Sequence, residues 1–164
     1  MATPIGWDPS VYNDTTTGNF LLGQELEYQG KTYRWLKLVT HVGAADNVAG
    51  VSGMVCEAAS ATDPNIVTLD RAGGSSLGRI PVAALIGTVS VDRYFFGLVR
   101  GIHAGIKDAA GACTTVGRKV VPHATTDGDV TDAAATITRD INCIGTVRVA
   151  TAAGVVGVYI KPEI

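Results

Sequence analysis

The run Glu25-Leu26-Glu27-Tyr28-Gln29-Gly30-Lys31-Thr32-Tyr33-Arg34-Trp35-Leu36-Lys37-Leu38-Val39 decides how this chain folds. Polar and apolar side chains alternate on both sides of Gln29-Gly30, which is the period of a strand. Gly at the second position of a two-residue connection supplies the positive φ of a type I′ turn, so the run reads as an antiparallel hairpin. On its second strand Tyr33, Trp35 and Lys37 share one face, and Arg34, Leu36 and Leu38 share the other. Both faces are mixed, so the pattern alone does not say which one meets a core.

Outward from the hairpin, β-branched runs at residues 51–55, 66–69, 80–91, 119–121, 144–149 and 155–160 predict further short strands. Residues 94–106 carry Gly97, Gly101 and Gly105 and read as a strand with bends or bulges. Thr62-Asp63-Pro64-Asn65 and Asp127-Gly128 are turns, 71–78 a Gly/Ser loop, 133–135 one helical turn, and 150–154 a five-residue connection ending in Gly. Turn signals at about 8–12-residue spacing predict an all-β fold, a sandwich or barrel of short antiparallel strands. No alternation with long amphipathic helices is present, which excludes a doubly wound α/β sheet.

Residues 1–22 predict an extended N-terminal arm ahead of a single β domain at 23–164. Pro4, Gly6, Pro9 and Gly18 break any regular pattern, yet Ile5, Trp7, Val11, Tyr12, Phe20, Leu21 and Leu22 make the segment too apolar for a free tail. It is expected to dock on its own domain or on a neighbour.

Composition narrows the class. Ala (21), Gly (20), Val (20) and Thr (18) dominate the 164 residues, while Glu (4), Lys (5) and Leu (9) are scarce. Hydrophobic residues at 46% and a net charge of −2 exclude disorder, and the shortage of Leu, Glu and Lys excludes coiled coils. Charged residues make up only 17%. The first ten residues have neither a basic nor an apolar signal region, and no run reaches the ~18 apolar residues of a membrane helix. Cys56, Cys113 and Cys143 are widely spaced and read as small buried hydrophobes of a protein made in a reducing cytoplasm.

The usual chemical signatures are incomplete. Gly73-Gly74-Ser75-Ser76-Leu77-Gly78-Arg79 approaches a phosphate loop, but Arg79 and Ile80 stand where Lys and Ser/Thr are needed. Asp127, Asp129 and Asp132 could offer oxygens to a cation, without the ligand order of a calcium loop. His41, His103 and His123 are isolated from one another. Arg93, Arg100, Lys107, Arg118 and Lys119 make 93–119 locally positive beside Tyr94, Phe95 and Phe96, but the overall acidity argues against nucleic acid. The expectation is a non-enzymatic protein with no cofactor, metal or membrane partner.

Residues Gly87-Thr88-Val89-Ser90-Val91-Asp92, Gly117-Arg118-Lys119-Val120-Val121 and the ending from Ile144-Gly145-Thr146 through Tyr159-Ile160-Lys161 carry a family likeness. In texture and order, residues 50–162 resemble the capsid decoration (cement) proteins of tailed bacteriophages. The resemblance implies a virion structural protein on the capsid exterior, made in the host cytoplasm. It would bridge major capsid protein subunits, stabilise the expanded shell, and form a homo-dimer or homo-trimer. Low surface charge agrees, because a surface poor in Lys and Glu suits burial against copies or a lattice. The interface residues expected are Ile5, Trp7 and Tyr12 from the arm, with Tyr94, Phe95 and Phe96, since aromatics are enriched at hot spots. The rival reading is a carbohydrate-binding or adhesin-like β-sandwich on the virion surface, with Trp7, Trp35, Tyr28 and Tyr33 as a sugar platform.

Overall fold

A computed structural model describes residues 7–40, 49–59, 62–69, 80–133 and 143–162. Ten strands are present: β1 (Glu25–Tyr28), β2 (Lys31–Leu38), β3 (Val55–Ala58), β4 (Ile66–Thr68), β5 (Pro81–Ala84), β6 (Tyr94–Lys107), β7 (Lys119–Pro122), β8 (Val130–Asp132), β9 (Gly145–Ala152) and β10 (Val155–Ile160). Two short 3-10 turns, Pro9–Tyr12 and Ala109–Gly111, are the helical content of the described residues. The fold is all-β.

Pairing runs β2-β4-β3-β5-β6 and returns from β6 to β2, closing a five-stranded barrel. Closure removes the exposed edges that an open sheet leaves. β6 has 14 residues, so it outruns the barrel. It pairs with β2 through Arg100 and with β10 from Gly101 onward. Its far half thereby starts a second sheet, β6-β10-β9-β7-β8. That sheet curls until a bridge between Asp108 and Val130 brings β8 back to the end of β6. The expected irregularities of this long strand are register shifts over 98–100 and 103–106, and Gly101 between them has φ +127°.

The mixed faces of β2 now have a reason: both are buried, against different layers. Leu36 and Leu38 join Cys56, Val67, Val82, Leu85 and Phe95 inside the barrel. Tyr33 and Trp35 point outward with Phe96 and Leu98 into a second core. That core continues through Ile106 into Val120, Val130, Ile144, Val147, Val156 and Val158 of the second sheet. Adjacent Phe95 and Phe96 thus serve different cores.

The β1–β2 turn is as expected, with Gln29 at φ +50° and Gly30 at +72°. Four readings need correction. The strands are not all antiparallel, because β2 and β4 pair in parallel. The strand expected over 51–55 begins at Val55, since 51–54 turns tightly through Gly53 to reach both halves of the molecule. The last hairpin has a two-residue turn, Ala153-Gly154 at φ +52° and +76°, and β9 runs on to Ala152. Asp127-Gly128 is the turn expected, but residues 130–132 just after it, for which the sequence predicts no strand, form β8. The 71–78 loop and all but the first residue of the 133–135 turn lie outside the described residues.

Candidate interaction surfaces

The N-terminal segment from Trp7 to Leu22 packs on its own barrel. Asp8 caps the first 3-10 turn, its Oδ1 accepting from the Ser10 amide (2.9 Å) and hydroxyl (2.8 Å). Asn13 Nδ2 donates to the Thr88 carbonyl at 2.6 Å, and the Ser90 amide donates to Asp14 at 2.7 Å. Thr15 and Tyr94 exchange backbone bonds of 3.0 and 2.9 Å. Trp7 meets Tyr28, Tyr33 and Phe96 edge-on with centroids 5.6, 6.1 and 5.2 Å apart, and Tyr12 meets Phe20 at 5.1 Å. Tyr94 stacks on Trp35 at 5.9 Å, and the Lys37 ammonium lies 5.7 Å from the Tyr94 ring centroid.

Eight of the chain's ten aromatic residues belong to this cluster; Phe95 and Tyr159 are the other two. Of the interface residues named from sequence, Trp7, Tyr12, Tyr94 and Phe96 therefore meet one another or shared neighbours. Phe95 sits apart inside the barrel, and Ile5 lies outside the described residues. Phe95 and Phe96 are 0% exposed and offer no surface in this fold. Trp7, Tyr33 and Trp35 are buried as well, so the four rings suggested as a sugar platform present no open flat face together. Burial, then the Asp8 carboxylate, raises the Tyr33 hydroxyl pKa.

Exposed apolar residues lie elsewhere. Eight large ones are exposed among the described residues, and seven fall into two groups. Val11 (72% exposed), Leu21 (80%) and Leu22 belong to the N-terminal segment. Ile102, Val149 (65%) and Val155 lie on β6, β9 and β10, with Val116 in a turn tied to β9 by the Gly117–Val147 backbone bond. Register aligns Ile102, Tyr159, Thr146 and Lys119 across four strands. A bulge makes Arg148 the extra residue between Val147 and Val149, and its guanidinium lies 5.4 Å from the Tyr159 ring centroid. Arg100 approaches the same tyrosine through its hydroxyl. The sequence reading did not name Ile102, Arg148, Val149, Val155 or Tyr159 as contact residues. The available signal was that residues 143–162 contain no Asp or Glu.

A cavity of about 480 Å³ lies where the N-terminal segment, the hairpin and β6 meet, lined by Asp8, Lys31, Tyr33, Ser52 and His103 among others. Both His103 nitrogens are engaged within the chain, Nε2 with the Leu85 carbonyl (3.2 Å) and Nδ1 with the Gly105 amide (3.2 Å). Burial lowers the His103 pKa, because it disfavours the charged ring. Asp132 is in β8, while Asp127 and Asp129 lie in the turn before it. No group of three metal-ligating side chains occurs among the described residues. Burial raises the Asp129 pKa. All three cysteines are free and buried, and burial pushes the Cys56 thiol up to about 12. His41 and the Gly73–Arg79 run lie outside the described residues. No family model, curated protein or solved structure matches the chain.

Proposed function

We propose that this chain is a decoration protein of a tailed-bacteriophage capsid. It binds the outer surface of the expanded shell, bridges major capsid protein subunits, and acts without catalysis. The observation that supports this reading most is the separation of the exposed apolar residues into two groups, one on the N-terminal segment and one on the second sheet. A body with two contact surfaces can join two neighbours, and repetition over a lattice raises avidity beyond any single contact. The low content of charged residues fits the same role, because interface cores are depleted in charge.

The role of the N-terminal segment changes in this reading. Trp7 and Tyr12 hold the segment on the barrel, and its outward residues Val11, Leu21 and Leu22 make contact instead. The test is cosedimentation of the purified protein with expanded, undecorated shells of the phage that encodes it. Binding that saturates at a fixed ratio to the major capsid protein is expected. Protein left in the supernatant at all concentrations would refute the reading.

A further inference from the structure

The cavity of about 480 Å³ beside the N-terminal segment has the size of a small-molecule site, for which roughly 300–1,000 Å³ is usual. Its wall carries one carboxylate, Asp8, and one ammonium, Lys31. These two form no ion pair, with each other or with any other described residue. Asp8 gives Oδ1 to the Ser10 amide and hydroxyl, while its Oδ2 takes no hydrogen bond from a described residue. The Asp8 charge acts on the Tyr33 hydroxyl and the Lys31 charge on the His103 ring, which places the two apart along the wall. Both are held in position. The Ser10 bonds fix Asp8, and the Lys31 stem passes Gly101 so closely that a Cβ there would lie 2.8 Å from Lys31 Cγ. Ile86 and Leu98 supply apolar wall.

We propose that this cavity binds a small amino-acid zwitterion with an apolar side chain, its ammonium at Asp8, its carboxylate at Lys31 and its side chain against Ile86 and Leu98. The two charges select this class. A charge covered by a ligand is costly unless it is paired. An anion would meet Lys31 and oppose Asp8, and a cation would do the reverse. A neutral sugar would hydrogen-bond to both groups and neutralise neither. A zwitterion alone pairs each charge with its opposite, and complementary charge is what sets partner and orientation. Because Asp8 and Lys31 are already held in place, little ordering is left to the moment of binding.

His103 is in the wall but is not available as a base, since both ring nitrogens are bonded within the chain. Binding, and not chemistry, is what the cavity supports. Ser10 comes from the N-terminal segment, Ser52 from the turn before β3, and Ala104 and Gly105 from β6. Their amides therefore report a ligand from three sides.

The experiment follows backbone amide NMR shifts of the full chain near pH 7, where both Asp8 and Lys31 are charged. The zwitterionic probes are L-phenylalanine and L-leucine, each taken to ~20 mM. Phenethylamine and 3-phenylpropanoate are the ammonium-only and carboxylate-only counterparts of phenylalanine, and N-acetylglucosamine is the neutral probe. At least one zwitterion should shift the amides of Ser10, Ser52, Ala104 and Gly105 saturably, and each single-charge counterpart should bind at least about tenfold more weakly than phenylalanine. Asp8→Asn removes the charge and keeps the cap, because Asn caps a helical turn as well as Asp does. It should weaken zwitterion binding about tenfold and leave 3-phenylpropanoate no weaker. Lys31→Gln should weaken the zwitterion equally and leave phenethylamine no weaker. Spectra unchanged away from the cavity establish that both variants are folded. Absence of a saturable shift with both zwitterions overturns the proposal. So does a single-charge counterpart that binds as tightly as phenylalanine, a zwitterion affinity that survives both substitutions, or saturation by N-acetylglucosamine alone, which marks a glycan site. No capsid shell takes part, so this test and the cosedimentation test fail independently.

Discussion

Gly53 joins the two halves of the molecule, and Gly53→Ala should be far more damaging than a surface glycine change. Its amide donates to the Leu85 carbonyl beside the barrel, and its carbonyl accepts from the Lys107 amide at the end of β6, both at 2.9 Å. Its φ is +88°, and a Cβ placed there would overlap the Gly105 carbonyl oxygen, a backbone atom that cannot swing aside. The left-handed conformation costs an L-residue about 1–2 kcal/mol. Displacing the backbone weakens two hydrogen bonds worth about 1 kcal/mol each, for a total near 3–4 kcal/mol. At roughly 2–4 °C per kcal/mol for a chain of this size, the melting temperature should fall by about 6–16 °C. Gly154→Ala is the control. Its φ is +76°, and nothing lies within 4 Å of the added carbon. Only the conformational cost of about 1–2 kcal/mol remains there. Calorimetry of both variants under identical conditions reads the difference. Equal losses would refute the view that close approach at Gly53 couples barrel and second sheet.

Three further outcomes are expected. Trp7→Ala removes a ring packed against Tyr28, Tyr33 and Phe96, and should cost about 3–5 kcal/mol, read as a lower urea midpoint with unchanged slope. Asp108→Ala strips the acceptor of the Ala112 and Cys113 amides (3.1 and 3.0 Å) and of the Thr151 hydroxyl, so a loss of about 3 kcal/mol or more should appear in thermal melts, with Asp108→Asn losing less. His103 has a folded pKa below its unfolded value. The unfolded chain therefore binds the proton first, so stability is full above pH ~6.5 and falls as pH drops through the folded value. His103→Asn should flatten that part of the stability–pH curve between pH 7 and 5, and an unchanged slope would assign it to other groups.

The sequence made the strands legible where alternation and turn chemistry agree. Gln29-Gly30 and the apolar runs of β2, β6, β7 and β10 needed only local geometry to be read. It also marked the N-terminal segment as too apolar to hang free. The segment's seat was not readable, because Trp7 meets Tyr33 and Phe96 across long sequence separations that no local period encodes. Removing residues 2–20 would accordingly uncover Trp35 and Phe96, and not simply delete a contact arm. β8 was missed because Val130-Thr131-Asp132 has too few residues to show a period, and its pairing with β7 supplies the order that propensity lacks.

The exposed surfaces divide in the same way. The absence of carboxylates from 143–162 and of cations from 7–30 is written in the sequence. Which of those residues face outward is not, because inward and outward positions alternate with a period of two and each bulge resets the phase. The bulge at Arg148 exposes two successive residues, Arg148 and Val149, where alternation would bury one. By itself the sequence determined a strand-rich, low-charge chain with aromatic residues to bury. Closure of the barrel and the long β6 shared with a second sheet decided which rings became core and which apolar residues remained outside. Those decisions depend on pairings between distant strands, and their energies exist only once the chain has closed on itself.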